Sequence, residues 1–181
     1  MKKVIYKFYY DFEKEEKWLN EMSSKGFALV DFFMGKYTFE ECEKGEYIYR
    51  IELLENLVSD PRSIEYINFL EETGVQHVAS SFRWAFFRKK ASLGQFDIYS
   101  DVDSKIGHYK KIVSLFSVLA FAEITIGISN INLGSHIHTE ISGVNSVLGL
   151  FCFLIGIAFV SISLRFSGKI NKLKREKIIK E

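Results

Sequence analysis

The sequence predicts an α+β cytoplasmic domain followed by a two-helix transmembrane hairpin. Three observations predict this class: a strand-helix-strand-strand pattern that occurs twice, two apolar stretches near the C-terminal end, and an uneven distribution of charge. The predicted organisation is an α+β domain over residues 1–105, a hairpin over residues 106–164 and a basic tail over residues 165–181.

Charged residues are distributed unevenly along the chain, with a nearly uncharged stretch between two charged ones. Residues 1–111 contain 17 Lys/Arg and 19 Asp/Glu, a net charge of −2. Residues 112–164 contain no Lys or Arg, whereas residues 165–181 contain seven. A net charge of +1 over the whole chain argues against a general binder of polyanions, and two cysteines cannot form a disulfide framework.

The first predicted module begins with a strand rich in Tyr, Phe, Val and Ile at residues 3–10. Asp11 can cap a helix over residues 12–25, and Gly26 follows as a typical helix end. Two further strands complete this module, at residues 27–33 and 36–41.

The second predicted module repeats this order. A strand at residues 47–54 follows a Glu-Lys-Gly turn, and the Asp60-Pro61 pair is typical of a helix start, with Gly74 at its end. The strands that remain are predicted at residues 75–80, 82–89 and, as a short last strand, 95–99.

The two modules align without a gap at an offset of 48 residues, which places residues 17–41 on residues 65–89. Asn20 meets Asn68, Gly26 meets Gly74, and the apolar positions of the helices stay in phase. We therefore expect two related units that form one antiparallel sheet with both helices on one face. The alternative is an α+β meander without a repeat.

The apolar stretches at residues 112–131 and 144–164 each have the length that crosses a hydrocarbon core of roughly 30 Å. The alternative is a buried helical hairpin of a soluble protein, but the rest of the chain is too small to surround two such helices. The N-terminal residues do not resemble an export signal.

Basic residues flank both predicted spans on the side away from the connecting loop, residues 132–143, which contains no Lys or Arg. The positive-inside bias then predicts a multi-pass membrane protein with both termini in the cytoplasm. The tail, residues 165–181, is interpreted as a helix on anionic lipid, as a solvated extension or as a docking site for a cytoplasmic partner.

Glu123 is the only charged residue inside the first predicted span. An ionised carboxylate near the bilayer midplane is costly, so we expect it to be hydrogen-bonded within the hairpin or to meet a group from another protein. The second reading makes Glu123 a determinant of membrane assembly, with Gly149 and Gly156 allowing another helix to come close.

Large rings occur on both faces of the predicted strands, although the predicted helices cover one face only. Some of these rings are expected to line a groove or partner surface, and the alternative is that they form the core. The predicted ligand or partner surface consists of Tyr49, Arg50, Arg83, Trp84, Phe86 and Arg88. The net charge of −2 disfavours nucleic acid as the partner.

The sequence contains no Ser/His/Asp order, phosphate-binding glycine loop or paired-cysteine motif, so no catalytic residue, cofactor or metal is predicted. The pattern His136-x-His138-x-Glu140 lacks a further ligand, and a calcium loop counted from Asp101 fails at its later positions. A membrane enzyme would depend on a small set of polar candidates, namely Glu52, His77, Arg50 and Tyr49.

Four stretches of the sequence resemble a bacterial family numbered 2812 among the domains of unknown function. They are DFEKEEKWLNEMSSKG at 11–26, YTFEECEKGEYIYRIELLE at 37–55, FRWAFFRKK at 82–90 and FDIYSDVDSKIGHYKKI at 96–112. The resemblance covers residues 1–112 and implies no activity. Members are often encoded beside PadR-type regulators, which implies signalling to transcription. The paired modules also resemble gyrase-inhibitor-like effector domains that bind small molecules, by fold analogy alone.

The leading interpretation is a membrane-anchored sensor or tether whose cytoplasmic domain binds a ligand or a protein partner. The alternatives are a small membrane enzyme and an accessory subunit of a transporter. The expected partners are the lipid bilayer, a cytoplasmic regulator of the PadR type, a membrane partner or a second copy of the chain.

Overall fold

The computed structural model describes residues 2–99, 101–136 and 142–180. The chain divides into two compact units, Met1–Ser100 and Asp101–Glu181. The first unit is mixed α/β, and the second consists of two long helices. The His136-x-His138-x-Glu140 pattern lies outside the residues whose side chains are described.

The first module of unit 1, which we call module 1, has the predicted order of elements. It comprises β1 (Lys3–Tyr6), α1 (Phe12–Ser24), β2 (Phe27–Phe33) and β3 (Lys36–Glu41), and its sheet has the order β1-β3-β2 with antiparallel pairing. Strand β1 is shorter than the expected 3–10, because Tyr6 already pairs with Lys36, the first residue of β3.

Module 2 repeats this order with an antiparallel sheet β4-β6-β5. Its elements are β4 (Tyr47–Leu53), α2 (Pro61–Glu72), β5 (Val75–Ser81) and β6 (Trp84–Lys90), followed by a short 3-10 helix at Ala91–Leu93. Both predicted N-caps are confirmed, since the Asp11 carboxylate accepts from Glu13 N–H and the Asp60 carboxylate from Arg62 N–H.

The predicted last strand at residues 95–99 is wrong, because this segment forms no strand pairing. Its residues are held by their side chains instead: Phe96 is 5% exposed and packs in the core of module 2 beside Ile98. The Asp97 carboxylate accepts a hydrogen bond from Tyr99 N–H at 3.3 Å, which gives the segment a local turn.

Backbone details confirm the internal repeat. Each module has a bulge at the equivalent place, between Leu29 and Asp31 in β2 and between His77 and Ala79 in β5. Each also has the same left-handed residues, Gly26 and Gly74 after the helices and Met34 and Phe82 in the hairpin turns. All of these pairs are related by the offset of 48 residues.

The six strands form two three-stranded sheets, where a single sheet was expected. Where the two sheets meet, side chains of module 2 bind the backbone of β2 in place of strand-to-strand hydrogen bonds. Arg88 Nη1 donates to the Leu29 carbonyl at 3.1 Å, and Leu29 N–H donates to the Tyr49 hydroxyl at 2.8 Å. The rings of Phe32 and Phe86 also meet there, 4.5 Å apart. Aromatic residues on both faces of β4 and β6 are therefore packed, one face on α2 and the other on module 1.

Helix α1 of module 1 closes the outer edge of β4 in module 2. The Asn20 side-chain amide donates to the Tyr49 carbonyl at 3.2 Å and accepts from Tyr49 N–H at 2.9 Å. The Ser23 hydroxyl makes the same two kinds of bond with the backbone of Tyr47, at 2.7 Å and 3.2 Å. These polar side chains satisfy backbone groups that an edge strand would otherwise leave open.

Unit 2 is an antiparallel pair of helices, α3 (Val102–His136) and α4 (Ser142–Lys180). Both are long and apolar enough to cross a membrane. A Cβ atom added at Gly149 would lie 2.7 Å from the Gly127 carbonyl oxygen, and one added at Gly156 would lie 2.6 Å from the Ile124 side chain. Gly149 and Gly156 therefore let a second helix come close, as expected, and that helix is α3 of the same chain.

The basic tail continues α4 without a break as far as Lys180. It stays beside the first turns of α3, since Lys177 forms an ion pair with Asp103 at 2.6 Å and the rings of Phe166 and Tyr109 lie 5.6 Å apart. The tail has the form of a helical extension packed on α3 and does not form a separate helix.

Candidate functional site

Half of the predicted surface is packed inside unit 1. Tyr49 is 0% exposed and Phe86 is 2% exposed, so neither ring is accessible to a ligand at the surface. The half-buried Trp84 ring lies 5.9 Å from Phe12, the first residue of α1. These three rings belong to the contact between the modules.

The two arginines of β6 and its turn hold backbone groups in place. Arg83 Nε donates to the Leu54 carbonyl at 2.8 Å, and Arg88 bonds both the Leu29 carbonyl and the Gln76 side chain. Because their donors are directed at the protein itself, the structure gives Arg83 and Arg88 a role in joining strands.

Of the residues in the predicted surface, Arg50 belongs to a group of polar side chains. It lies on the face of β4 opposite Tyr49 and shares that face with Glu52, since alternate residues of a strand point the same way. Side chains from α1, α2 and the segment after β6 meet them there. We call this group the carboxylate cluster: Glu16, Arg50, Glu52, Tyr66 and Tyr99.

Glu16 enters the cluster from α1. Its carboxylate lies 3.2 Å from Arg50 Nη1 and accepts a hydrogen bond from Ile51 N–H at 3.1 Å. Burial raises the pKa of Glu16 to about 7, and the attraction of Arg50 offsets this only in part. Glu16 is therefore poised to change its charge near neutral pH.

Glu52 enters from the centre of β4 and is 5% exposed. The Tyr66 hydroxyl of α2 donates to the Glu52 carboxylate at 2.8 Å. Burial and then the charge of Glu52 raise the pKa values of both Tyr66 and Tyr99, so both phenols stay protonated and can donate hydrogen bonds.

Residues 94–99, which we call the connecting segment, lie beside this cluster. The Phe96 ring packs on Ile67, Ala85 and Phe87, and the Arg50 guanidinium lies 6.0 Å from its centre. Asp97 and Tyr99 are close enough to Glu16 to affect the titration of the cluster. The segment that precedes the first long helix is thus part of the polar site.

His77, another candidate for membrane-enzyme chemistry, lies apart from the cluster. Arg50 and His77 lie at one level of the sheet, and Phe87 of the central strand separates them. The His77 ring packs 5.6 Å from that of Phe87 and contacts the Ser80 hydroxyl, and burial lowers its pKa. Of the four polar candidates, the structure brings together Arg50 and Glu52 only.

A second buried carboxyl, Glu15, was missed from the sequence. It is 8% exposed, accepts a hydrogen bond from the Tyr37 hydroxyl, and has a pKa that burial raises to about 7. Its spacing with Leu19 and Met22, at i, i+4 and i+7, places it on the apolar face of α1 and could have revealed it.

In unit 2, Glu123 is half-buried and lies near the Cys152 thiol of the facing helix. Further from the residues that join the two helices, the hydroxyls of Ser117 in α3 and Ser163 in α4 lie 2.8 Å apart. The Cys152 thiol is thus a polar neighbour of Glu123 within the hairpin, and the contact of Glu123 with another protein stays a prediction.

Within residues 2–99, 101–136 and 142–180, no three His, Cys, Asp or Glu side chains come together as a candidate metal site. The carboxylate cluster has hydrogen-bond donors and acceptors but lacks a nucleophile paired with a base. Its composition suits recognition of a cationic or hydrogen-bond-donating group.

The fold and this site define a class: a twofold repeated strand-helix-strand-strand module joined to a pair of helices long enough to cross a membrane. The family model of the DUF2812 proteins, described as proteins of unknown function, matches residues 11–121. The chain belongs to this family. No curated protein and no solved structure matches it.

Proposed function

We propose that this is a membrane-anchored bacterial protein with a sensing or regulatory role, whose cytoplasmic α+β domain binds a ligand or a protein partner at the carboxylate cluster. The ligand would contact Arg50 and Glu16, whose side chains are 28% and 20% exposed, and the buried Glu52 would act through its charge. Binding there would move the connecting segment and so pass the signal to the first membrane helix. The observation that carries this proposal is the packing of the buried Phe96 and the half-buried Ile98 beside the cluster, six and four residues before α3 begins at Val102.

The chemistry of the cluster suggests the kind of group it binds. Glu16 and Glu52 together outweigh the single positive charge of Arg50, and the site holds two phenol donors. A protonated amine or guanidinium on a small molecule or a partner side chain fits this balance. Burial strengthens such a contact because few competing waters reach it.

The extent of the family match supports the coupling part of the proposal. The matched range ends at residue 121, so it includes the connecting segment and the beginning of α3. We expect the signal to reach a cytoplasmic regulator of the PadR type, with both termini of the chain in the cytoplasm because basic residues flank both long helices on that side.

Affinity purification of the tagged full chain in mild detergent, followed by mass spectrometry, tests this role. We expect a regulator to be recovered with the parent chain and to be lost with Glu52→Gln, which removes the charge and keeps the shape. Glu55→Gln, an exposed position on the same stretch, is the matched control and should keep the partner. Recovery that is equal for both variants would exclude the cluster as the binding site.

Binding of a small molecule is tested separately on the full chain by the fluorescence of Trp18 and Trp84, both in unit 1. Arginine methyl ester and spermidine serve as cationic probes, and acetate is the anionic control. A rise in the unfolding midpoint with the cations, absent in Glu52→Gln, is the expected result. Equal responses of the parent and variant would contradict the proposed recognition.

A further inference from the structure

The repeat leaves one helix face and one strand edge of unit 1 without the contacts that their equivalents make. The α1 helix closes the outer edge of β4 through Asn20. The equivalent of Asn20 in α2 is Asn68, and the equivalent of β4 in module 1 is β1. In the described part of the chain, the outer edge of β1 pairs with no strand.

The outer face of α2 is an open groove and is not part of the core. Asn68 lines it, together with Ile64 and Phe69, which are 46% and 59% exposed. All the residues that line this groove belong to α2, so it is shallow and open to solvent. Exposed apolar residues of this kind mark a contact surface, and Asn68 retains the side-chain amide that Asn20 uses to hold β4.

The β1 edge offers the complementary surface. Its exposed apolar side chains are Val4 and Tyr6, at 45% and 73%, and Phe8 at 82% follows directly. Residues 2–10 contain three lysines and no acidic residue, whereas the α2 groove carries Glu65 and Glu72. The two surfaces therefore match in apolar character and in charge.

We propose that the α2 groove binds the β1 edge of a second copy of this chain. Asn68 would pair with the backbone N–H and C=O of an outward-facing residue of β1, as Asn20 pairs with Tyr49 within one chain. Each copy carries both surfaces, so a dimer with twofold symmetry makes the contact twice. This contact is separate from the carboxylate cluster and does not depend on its ligand.

Cross-linking between two tagged full chains in membranes tests the pairing directly. One chain carries Asn68→Cys and the other Val4→Cys, each in a background with Cys42→Ser and Cys152→Ala. A short bis-maleimide should link the mixed pair at least about tenfold more than either chain with itself. Absence of the mixed product, or equal links between identical cysteines, would overturn the proposal.

Dimer stability in detergent gives the second readout, with native mass spectrometry of the full chain. Phe69→Glu should raise the dimer dissociation constant by about tenfold or more, because it places a charge in the groove. Phe82→Glu is the matched control: its ring is 79% exposed in the turn between β5 and β6, outside α2 and β1, and it should leave the dimer unchanged. Tryptophan fluorescence confirms that both variants are folded.

A charge exchange distinguishes loss of the contact from loss of folding. Glu65→Lys together with Glu72→Lys should weaken the dimer, and mixing this chain with one that carries Lys2→Glu and Lys3→Glu should restore it. A dimer that survives Phe69→Glu, or a parent chain that is monomeric at micromolar concentration, would overturn the proposal. Monomers that bind anionic vesicles through Lys2 and Lys3 would show that lipid is the occupant of the β1 surface.

Discussion

Unit 1 should lose stability as the pH rises from 5.5 to 8, and Glu15 should account for much of the loss. Burial raises the pKa of the Glu15 carboxyl from 4.5 to about 7. Below pH 4.5 the carboxyl is protonated in the folded and unfolded chains. Between the two values the folded chain holds a proton that the unfolded chain has released, so unfolding becomes easier with each step in pH.

The size of this effect follows from the two pKa values. A difference of about 2.5 pH units corresponds to roughly 3 kcal/mol when the carboxyl is fully ionised, and roughly 2 kcal/mol of it develops between pH 5.5 and 8. Glu15→Gln cannot ionise, so its free energy of unfolding should fall by about 2 kcal/mol less than that of the parent over this range. The Tyr37 hydroxyl can still donate to the amide oxygen.

Urea unfolding of the full chain in detergent, followed by tryptophan fluorescence, measures this difference. Trp18 and Trp84 are the two tryptophans of the chain, so the signal reports unit 1 alone. Glu21→Gln on the exposed face of α1 is the control and should keep the pH dependence of the parent. Equal pH dependence in Glu15→Gln and the parent would refute the argument that Glu15 is held protonated by burial.

Three further predictions follow from the repeat, the topology and the hairpin. Gly26→Val and Gly74→Val should each lower the stability of unit 1 by roughly 2 kcal/mol or more in the same assay, because both glycines have φ above +80°; unchanged midpoints would contradict the helix ends. Reporters fused before Met1 and after Glu181 should both score as cytoplasmic, and labelling of either terminus from outside intact cells would show that the predicted topology is wrong. Glu123→Leu should weaken the recovery of oligomers or membrane partners by cross-linking, because it removes the polar group near the middle of α3, whereas Glu123→Gln should behave as the parent does; equal recovery with Leu would show that assembly does not depend on this carboxyl.

Most of the fold could be predicted from local signals in the sequence. The caps Asp11 and Asp60 and the glycines Gly26 and Gly74 fix the helix ends through bonds between near neighbours, which a pattern of residues reveals. The bulges were not predicted, but the structure places them at positions that the offset of 48 residues relates.

The arrangement of the sheets could not be predicted in this way. It depends on single side-chain contacts between distant residues, such as Arg88 with the Leu29 carbonyl, and no periodicity encodes them. The same limit applies to the candidate site. Arg50 and Glu52 share a strand face by simple alternation, but Glu16, Tyr66 and Tyr99 reach them from three other segments.

The bond between Asn20 and Tyr49 has a consequence for how the domain forms. Helix α1 of module 1 covers the edge of strand β4 of module 2, across a sequence separation of 29 residues. Module 2 without module 1 would therefore expose the outer edge of β4, which is a template for pairing with other chains. The two modules should accordingly fold as one unit, although each has its own sheet and its own helix.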